Sequence, residues 1–363
     1  MRLLIQSEDG LNNFDAIRLM MALAVIWSHS FALALPQGET VEPISILTNG
    51  HYNAGNIAVM VFFTISGFLI CESRLKSKSL QSFLEKRIRR IFPGYMVATT
   101  IGAFVVVPLF STASDLSLIQ IAKTFGQNLL LQNYAPPSTV FARNYSTAVN
   151  GSLWSIPFEF WCYVGLAGLG IAGLLRQKWA IAAIIVSCMA ARAAFDILDR
   201  KPGLGIVGQI FGWPYLWVFV LPCFLMGALF FLLKQKIPRH PLVLVSLIGL
   251  LLLLCHVPVS DKFQRVSSQL MFPLAITYST FYFSFTDRIK LRHAAAKGDF
   301  SYGTYLFAFP IQQMLISLFI FPFPIIVLLS IVLSLGAGYL SWHLVEKWFL
   351  TRPAAPAALT LHA

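Results

Sequence analysis

Apolar residues in this chain of 363 gather in ten blocks, each close to the ~20 residues an α-helix needs to cross the hydrocarbon core of a bilayer. The blocks run over 14–35, 56–76, 91–110, 152–175, 178–197, 213–234, 240–258, 267–286, 300–320 and 324–346. Backbone in lipid must satisfy its own hydrogen bonds, so apolar blocks of this length read as helices. The composition agrees, since 57% of the residues are hydrophobic and only 12% are charged, against roughly 25% charged in a soluble domain. The chain therefore predicts an all-α polytopic membrane protein with about ten transmembrane helices. Residues 1–350 make one integral-membrane domain, and 351–363 follow as a short cytoplasmic tail.

Charge gives the orientation. With the N-terminus inside, 20 of the 27 lysines and arginines fall on the inner side of the ten-helix arrangement, so the positive-inside rule places both termini in the cytoplasm. The net charge of +12 is then a consequence of topology and calls for no nucleic-acid partner, which needs a basic groove on a soluble face. A cleaved leader ending near Ala32-Leu33-Ala34 is the competing reading of the N-terminus. It is disfavoured by Glu8, Asp9 and Asp15 in a region that should be net positive. The five cysteines, Cys71, Cys162, Cys188, Cys223 and Cys255, fall inside the blocks with no ligand spacing and read as small core residues, leaving no metal site to predict.

Ionisable residues inside a span are costly and point to function. The first block holds two, Arg18 and His29. Eleven residues at about 100° each return to within roughly 20° of the start, so both share one helix face about three turns apart. Asp15 stands three residues before Arg18 and can pair with it. His29 lies toward the outer end, where an imidazole can take or give a proton near neutral pH. The bland alternative is a histidine bonded to a neighbouring helix and an arginine anchoring the inner face.

Two further clusters carry chemistry. Lys86-Arg87-Ile88-Arg89-Arg90 precedes Phe92-Pro93-Gly94-Tyr95, and Arg87 with Arg90 forms a same-face fork suited to the phosphates of a cytoplasmic anion. Inner-face arginines are also what topology demands. Asn150-Gly151-Ser152-Leu153-Trp154-Ser155-Ile156-Pro157-Phe158-Glu159 opens the fourth block, with Ser152 or Ser155 as its cap. Entry from the outside puts Glu159 about seven residues deep, near the level of His29, where it can orient the imidazole. The outer loop Ser111-Gly151 mixes Asn128, Asn133, Tyr134, Arg143, Asn144, Tyr145 and Asn150, a set that suits a sugar or an external loop of no special role.

These blocks resemble the acyltransferase family 3 membrane proteins. Arg18 with His29 is similar to the Arg-x10-His first helix of that family, and Val61-Phe62-Phe63-Thr64-Ile65-Ser66-Gly67-Phe68-Leu69-Ile70 to its second-helix signature. Arg87-Ile88-Arg89-Arg90-Ile91-Phe92-Pro93 resembles its arginine motif, and Ser152-Leu153-Trp154-Ser155 with Glu159 its serine-leucine-tryptophan-serine block. Ser301-Tyr302-Gly303-Thr304-Tyr305-Leu306 and Val345-Glu346-Lys347 look like the two closing motifs.

The resemblance implies transfer of an acyl group, usually acetyl, from cytoplasmic acyl-CoA to a sugar hydroxyl. The acceptor would be a surface or exported glycan of the O-antigen, exopolysaccharide or lipo-oligosaccharide type, and the site the inner membrane of a bacterium. Arg18 and His29 match the residues essential for transfer, with Glu159 as a third catalytic candidate. Arg87 and Arg90, with Arg89 between them, match the acyl-CoA site, and Asp15, Ser66, Trp154 and Ser155 are supporting residues. The chain departs from the pattern in two places. Phe160 stands where many members carry a second acidic residue, and Ala308 where many carry a histidine. A soluble hydrolase-like domain has no room after the last block, which leaves transfer by the membrane domain alone or with a partner protein. A secondary transporter or flippase of glycan-related substrates, using the same buried Arg, His and Glu, is the rival reading.

Overall fold

The computed structural model describes residues 12–36, 42–112, 117–132, 139–203, 205–286, 291 and 298–350. The tail 351–363, Asn133 and Tyr134 of the outer loop, and several basic residues of the predicted inner side (Arg2, Arg288, Lys290, Arg292, Lys297 and Arg352) lie outside them. In order the elements are α1 (Phe14–Ala34), α2 (Pro43–Leu47), α3 (Ala54–Lys76), α4 (Leu80–Ile101), α5 (Val107–Phe110), α6 (Leu118–Leu129), α7 (Ser155–Ile171) and α8 (Lys178–Ile197). They continue with α9 (Gly205–Phe211), α10 (Pro214–Leu232), α11 (Pro241–His256), α12 (Asp261–Ser284), α13 (Ser301–Leu318), α14 (Phe323–Ser341) and α15 (Lys347–Leu350). Among the described residues the chain is helical throughout, and an isolated bridge between Ser111 and Val140 is its β-type pairing.

Each of the ten apolar blocks falls on a helix, and six helical stretches are long and apolar enough to cross a membrane. These are Phe14–Ala34, Ala54–Lys76, Leu80–Phe110, Lys178–Ile197, Pro214–Leu232 and Phe323–Leu350. The third begins eleven residues before the predicted 91, because the basic segment from Leu80 continues the helix with its apolar face, Phe83 included, turned inward. A turn of π-helix over Gly102–Val106 joins α4 to α5, and another over Trp342–Glu346 joins α14 to α15.

The centre of the bundle is α3, which packs on α1, α7, α10 and α12. Its crossing with α10 is a backbone contact. A Cβ on Gly67 would stand 1.8 Å from the carbonyl oxygen of Phe224, and one on Gly227 would stand 2.1 Å from that of Thr64. Small residues at such a crossing let van der Waals packing hold helices together where lipid supplies no hydrophobic drive. The five cysteines are free thiols, four of them buried, as their sequence positions imply.

Candidate active site

Arg18 of α1 reaches into the bundle interior and is held from two sides. Its guanidinium lies 2.9 Å from Asp15, one turn earlier, and donates at 2.8 Å to Oδ2 of Asp299, just before α13. Arg90 of α4 donates to that same Oδ2 at 2.5 Å. The hydroxyl of Ser301 donates to Oδ1 at 2.6 Å, so both carboxylate oxygens are engaged. Burial pushes the Asp299 carboxyl up, but the Arg90 and Arg18 guanidiniums overcome this and hold it at about 2. Asp299 thereby ties α1, α4 and the start of α13 into one ion cluster.

Above this cluster lies a cavity of about 130 Å³. Arg18, Ser66, Arg87, Arg90, Ser155 and Glu159, all singled out in the sequence, line it together. Tyr163, Tyr302 and Tyr305 complete its polar wall. Glu159 Oε1 accepts from the hydroxyl of Ser66 at 2.8 Å and from that of Tyr163. Tyr302 donates to the carbonyl of Ile91 at 2.9 Å, with Arg90 over its ring at 5.7 Å. Arg87 differs from its neighbours. Its guanidinium rests on the rings of Phe83 (5.8 Å) and Tyr163 (5.9 Å), and its buried Nε has no hydrogen-bond partner. Among the described residues it forms no ion pair.

His29 and Glu159 do not share the common depth that the sequence suggests. Antiparallel α1 and α3 are in register at Ser28, whose Oγ would lie 3.1 Å from a Cβ on Gly55. Counting ten residues back along α1 and eleven forward along α3 brings Arg18 level with Ser66, the partner of Glu159. His29 is therefore about 16 Å farther along the bundle than Glu159. The reason lies in the segment before α7. Asn150 donates its side-chain amide to the carbonyl of Leu306 at 2.8 Å, and Tyr305 donates to the carbonyl of Ser152 at 2.7 Å. Gly151–Trp154 forms a 3₁₀ turn inside the bundle, held by the second turn of α13, so α7 starts deep. Neither serine caps α7 through its side chain. Asn150 caps the 3₁₀ turn instead, accepting from the Ser152 amide at 3.1 Å, and the Ser155 hydroxyl meets that of Tyr305 at 2.9 Å.

His29 occupies a quiet apolar setting. Its ring stands edge-on to Phe309 at 5.2 Å, and its buried Nδ1 has no hydrogen-bond partner. Phe309 also fills the space beside Gly151, where a Cβ would come within 2.5 Å of the ring. Trp154 packs in the main core and lines a second cavity of about 240 Å³, together with Asn128, Asn150 and Gly151, on the outer-loop side of the block. Arg89 does not line the first cavity and pairs with Glu85 at the surface. Among the described residues no group of His, Cys, Asp and Glu side chains is arranged to hold a metal ion.

The sequence reading missed Asp299, which stands two residues before a recognised motif in a loop without periodicity. A usable signal existed. Two predicted arginines near the inner face need a carboxylate, and Asp299 lies next to the closing motif. Glu346 of the last motif is likewise buried, accepting from Ser341 at 2.7 Å and packed against Gly94 and Gly303.

A membrane bundle built around a polar, arginine-lined cavity is the frame into which the comparisons with known proteins fit. The family model described as an acyltransferase domain matches residues 11–343, and this chain belongs to that acyltransferase family 3. It is an acyltransferase, and its apolar helices make it a multi-pass membrane protein. It is 30% identical over 359 residues to an O-acetyl transferase of Shigella phage Sf6, covering 96% of this chain and 98% of that one. It is 26% identical to nodulation protein 10 of Rhizobium leguminosarum bv. viciae, over 59% of each chain. It is also 26% identical to the acyltransferase MdmB of Streptomyces mycarofaciens, over 42% of this chain and 38% of that one. No solved structure matches it.

Proposed function

We propose that this chain is a membrane O-acetyltransferase that moves an acetyl group from cytoplasmic acetyl-CoA to a sugar hydroxyl of a cell-surface or exported glycan. Its ten helices α1, α3, α4, α7, α8 and α10 to α14 span the bacterial inner membrane with both termini cytoplasmic, a topology that the distribution of basic residues supports. The full-length likeness to a phage O-acetyl transferase supports the acetyl group.

The observation that carries the reading is one stripe of α1. Arg18 lines the cavity, and three turns along the same face stands His29, with a ring nitrogen that no group among the described residues satisfies. His29 is the base that takes the proton of the acceptor hydroxyl. The hydroxyl oxygen bonds to the acetyl carbonyl carbon, the thioester C–S bond breaks, and the proton passes to the departing coenzyme A thiolate. Arg87, which forms no ion pair among the described residues, receives donor phosphate from the cytoplasmic side, and the long pantetheine arm runs from there past Arg18 toward His29. Arg90, committed to Asp299, holds the frame of that path. Glu159, level with Arg18, sets the electrostatics around Arg87 through Ser66 and Tyr163.

The test is transfer of acetyl label from acetyl-CoA to glycan in membranes containing the chain, with His29→Ala as the loss-of-function variant and mass spectrometry of the glycan as readout. The expected result is an acetyl ester with the wild type and none with His29→Ala at equal membrane level. Transport of a glycan precursor with no ester formed would sink the reading in favour of a transporter.

A further inference from the structure

Two arginines from different helices share one aromatic ring. Arg74, in the last turn of α3, has its guanidinium carbon 6.0 Å from the centroid of Phe83, and Arg87 of α4 has its own at 5.8 Å from the same centroid. Phe83 is wholly buried and fixes where both groups lie. The Nε atoms of Arg74 and Arg87 are both buried with no hydrogen-bond partner. Four cations at this end of the bundle are paired, Arg18 and Arg90 with Asp299, Lys76 with Glu72 at 2.7 Å and Arg89 with Glu85. Among the described residues Arg74 and Arg87 have no such carboxylate.

Topology alone does not account for this arrangement. An arginine that only marks the inner face extends its head into water, as Lys76 does with a side chain 74% exposed. Arg74 instead folds back against α7, where Gly170 makes room for it; a Cβ there would come within 2.9 Å of Arg74 Nε. Each guanidinium is drawn in beside the same ring with its Nε left unpaired, and an anion at this place would supply the missing acceptors. Guanidinium forks match phosphate oxygens in pairs. Arg87 also lines the cavity that holds Arg18 and Glu159, so an anion held there sits at the cavity's inner end.

We propose that Arg74 and Arg87, both laid on the ring of Phe83, form a two-guanidinium site for the phosphates of the nucleotide part of the acyl donor. This rests on the acyl-CoA reading above and adds Arg74 as a donor-binding residue.

The experiment compares two donors in membranes carrying the full chain, acetyl-CoA and S-acetyl-pantetheine, which has the same thioester arm but no phosphate. In the wild type the ratio of kcat/KM for acetyl-CoA over acetyl-pantetheine is large. In Arg74→Gln that ratio falls about tenfold or more, the loss expected for one charged hydrogen-bonded contact, and it appears in the KM for acetyl-CoA. Arg74→Lys, which keeps the charge but not the fork, recovers part of it. An unchanged ratio, or an equal fall with both donors, overturns the assignment of Arg74. Should Arg74→Gln fail to accumulate in the membrane, Arg74→Lys decides alone, with an unchanged ratio again overturning the proposal. A wild type that uses neither donor instead overturns the acyl-CoA reading itself, which separates the two failures.

Discussion

Arg18 and Arg90, from helices far apart in the chain, donate to one and the same oxygen of Asp299, at 2.8 and 2.5 Å. The side chains are 20%, 23% and 16% exposed, so the cluster is desolvated enough for its charges to matter. A buried ion pair is a weak source of net stability, but removing one partner leaves uncompensated charge. Here one carboxylate serves two cations, and Asp299→Asn strands Arg90 and leaves Arg18 with Asp15 alone. The expected cost is ~2–4 kcal/mol of stability, seen as a lower melting temperature of the detergent-solubilised protein. An unchanged melting temperature would show that Asp15 and water suffice for the two guanidiniums.

The same cluster fixes a pH dependence. Asp299 is held at about 2 in the fold, below its ordinary value near 3.8. A carboxylate lowered in this way contributes stability that is fully present above its unfolded value and lost as pH falls through the folded one. From pH 5 to 8 the cluster therefore adds no slope to the melting temperature, and below about 4 its contribution fades toward pH 2. Asp299→Asn should flatten that acid-side decline. A decline of equal size in the variant assigns the acid sensitivity to other groups.

The helices were legible because hydropathy in blocks of twenty leaves a lipid-embedded chain few alternatives, and all ten blocks fell on helices. The motif residues Arg18, Ser66, Arg87, Arg90, Ser155 and Glu159 were legible too, and they converge on one cavity. Depth was not. Hydropathy treats the start of an apolar block as the membrane face, whereas Asn150 to Ser155 enters the bundle as a turn whose polar groups bond to α13, which moves Glu159 from the level of His29 to that of Arg18. Arg89 shares one motif with Arg87 and Arg90, yet successive helical residues point about 100° apart, and Glu85 one turn earlier pairs with it. The short α2, α6 and α9 fell within predicted loops, since five to twelve residues give too little periodicity to detect.

Gly67 tests how rigidly the site is carried. Its missing Cβ would stand 1.8 Å from the Phe224 carbonyl oxygen, a backbone atom that cannot rotate away, and Ser66 next to it presents its hydroxyl to Glu159. Gly67→Ala must push α3 and α10 apart. A loss of about 3 kcal/mol or more, with reduced membrane level and reduced transfer, is expected. Gly165→Ala on α7, where nothing lies within 4 Å, is the control, and helix propensity alone should make it neutral or stabilising by ~0.5–1 kcal/mol. Equal behaviour of the two variants would contradict the close crossing.

Glu159 holds two hydroxyls on one oxygen, from Ser66 and Tyr163, and faces a cavity that also contains Arg87. Glu159→Gln keeps the size and an accepting oxygen while removing the charge. Transfer should fall roughly 10- to 100-fold in kcat, the range for hydrogen bonds to a charged group. Tyr163→Phe leaves Ser66 in place and should cost less. If the pair acts as a unit, the double variant is no worse than Glu159→Gln alone, because coupled residues are not additive. Wild-type kcat in Glu159→Gln would reduce the carboxylate to packing.

Glu42 gives the opposite sign from Asp299. It lies between α1 and α3, only 6% exposed, accepting from the Ala54 amide at 2.8 Å and, at 3.2 Å, from the hydroxyl of Ser28, the chain neighbour of His29. Burial pushes its carboxyl up from 4.5, and these two hydrogen bonds only partly offset the shift. A raised carboxyl contributes stability that is fully present below its unfolded value and lost as pH rises through the folded one. Glu42→Gln removes the penalised charge and keeps an oxygen for Ala54. Its melting temperature relative to wild type should therefore rise between pH 4.5 and pH 8, with the variant the more stable at the upper end. A variant less stable than wild type by the same margin at both pH values would mean that the carboxylate is well accommodated as an anion, and that the polar groups around Ser28 and His29 form a stronger anion-holding site than these hydrogen bonds imply.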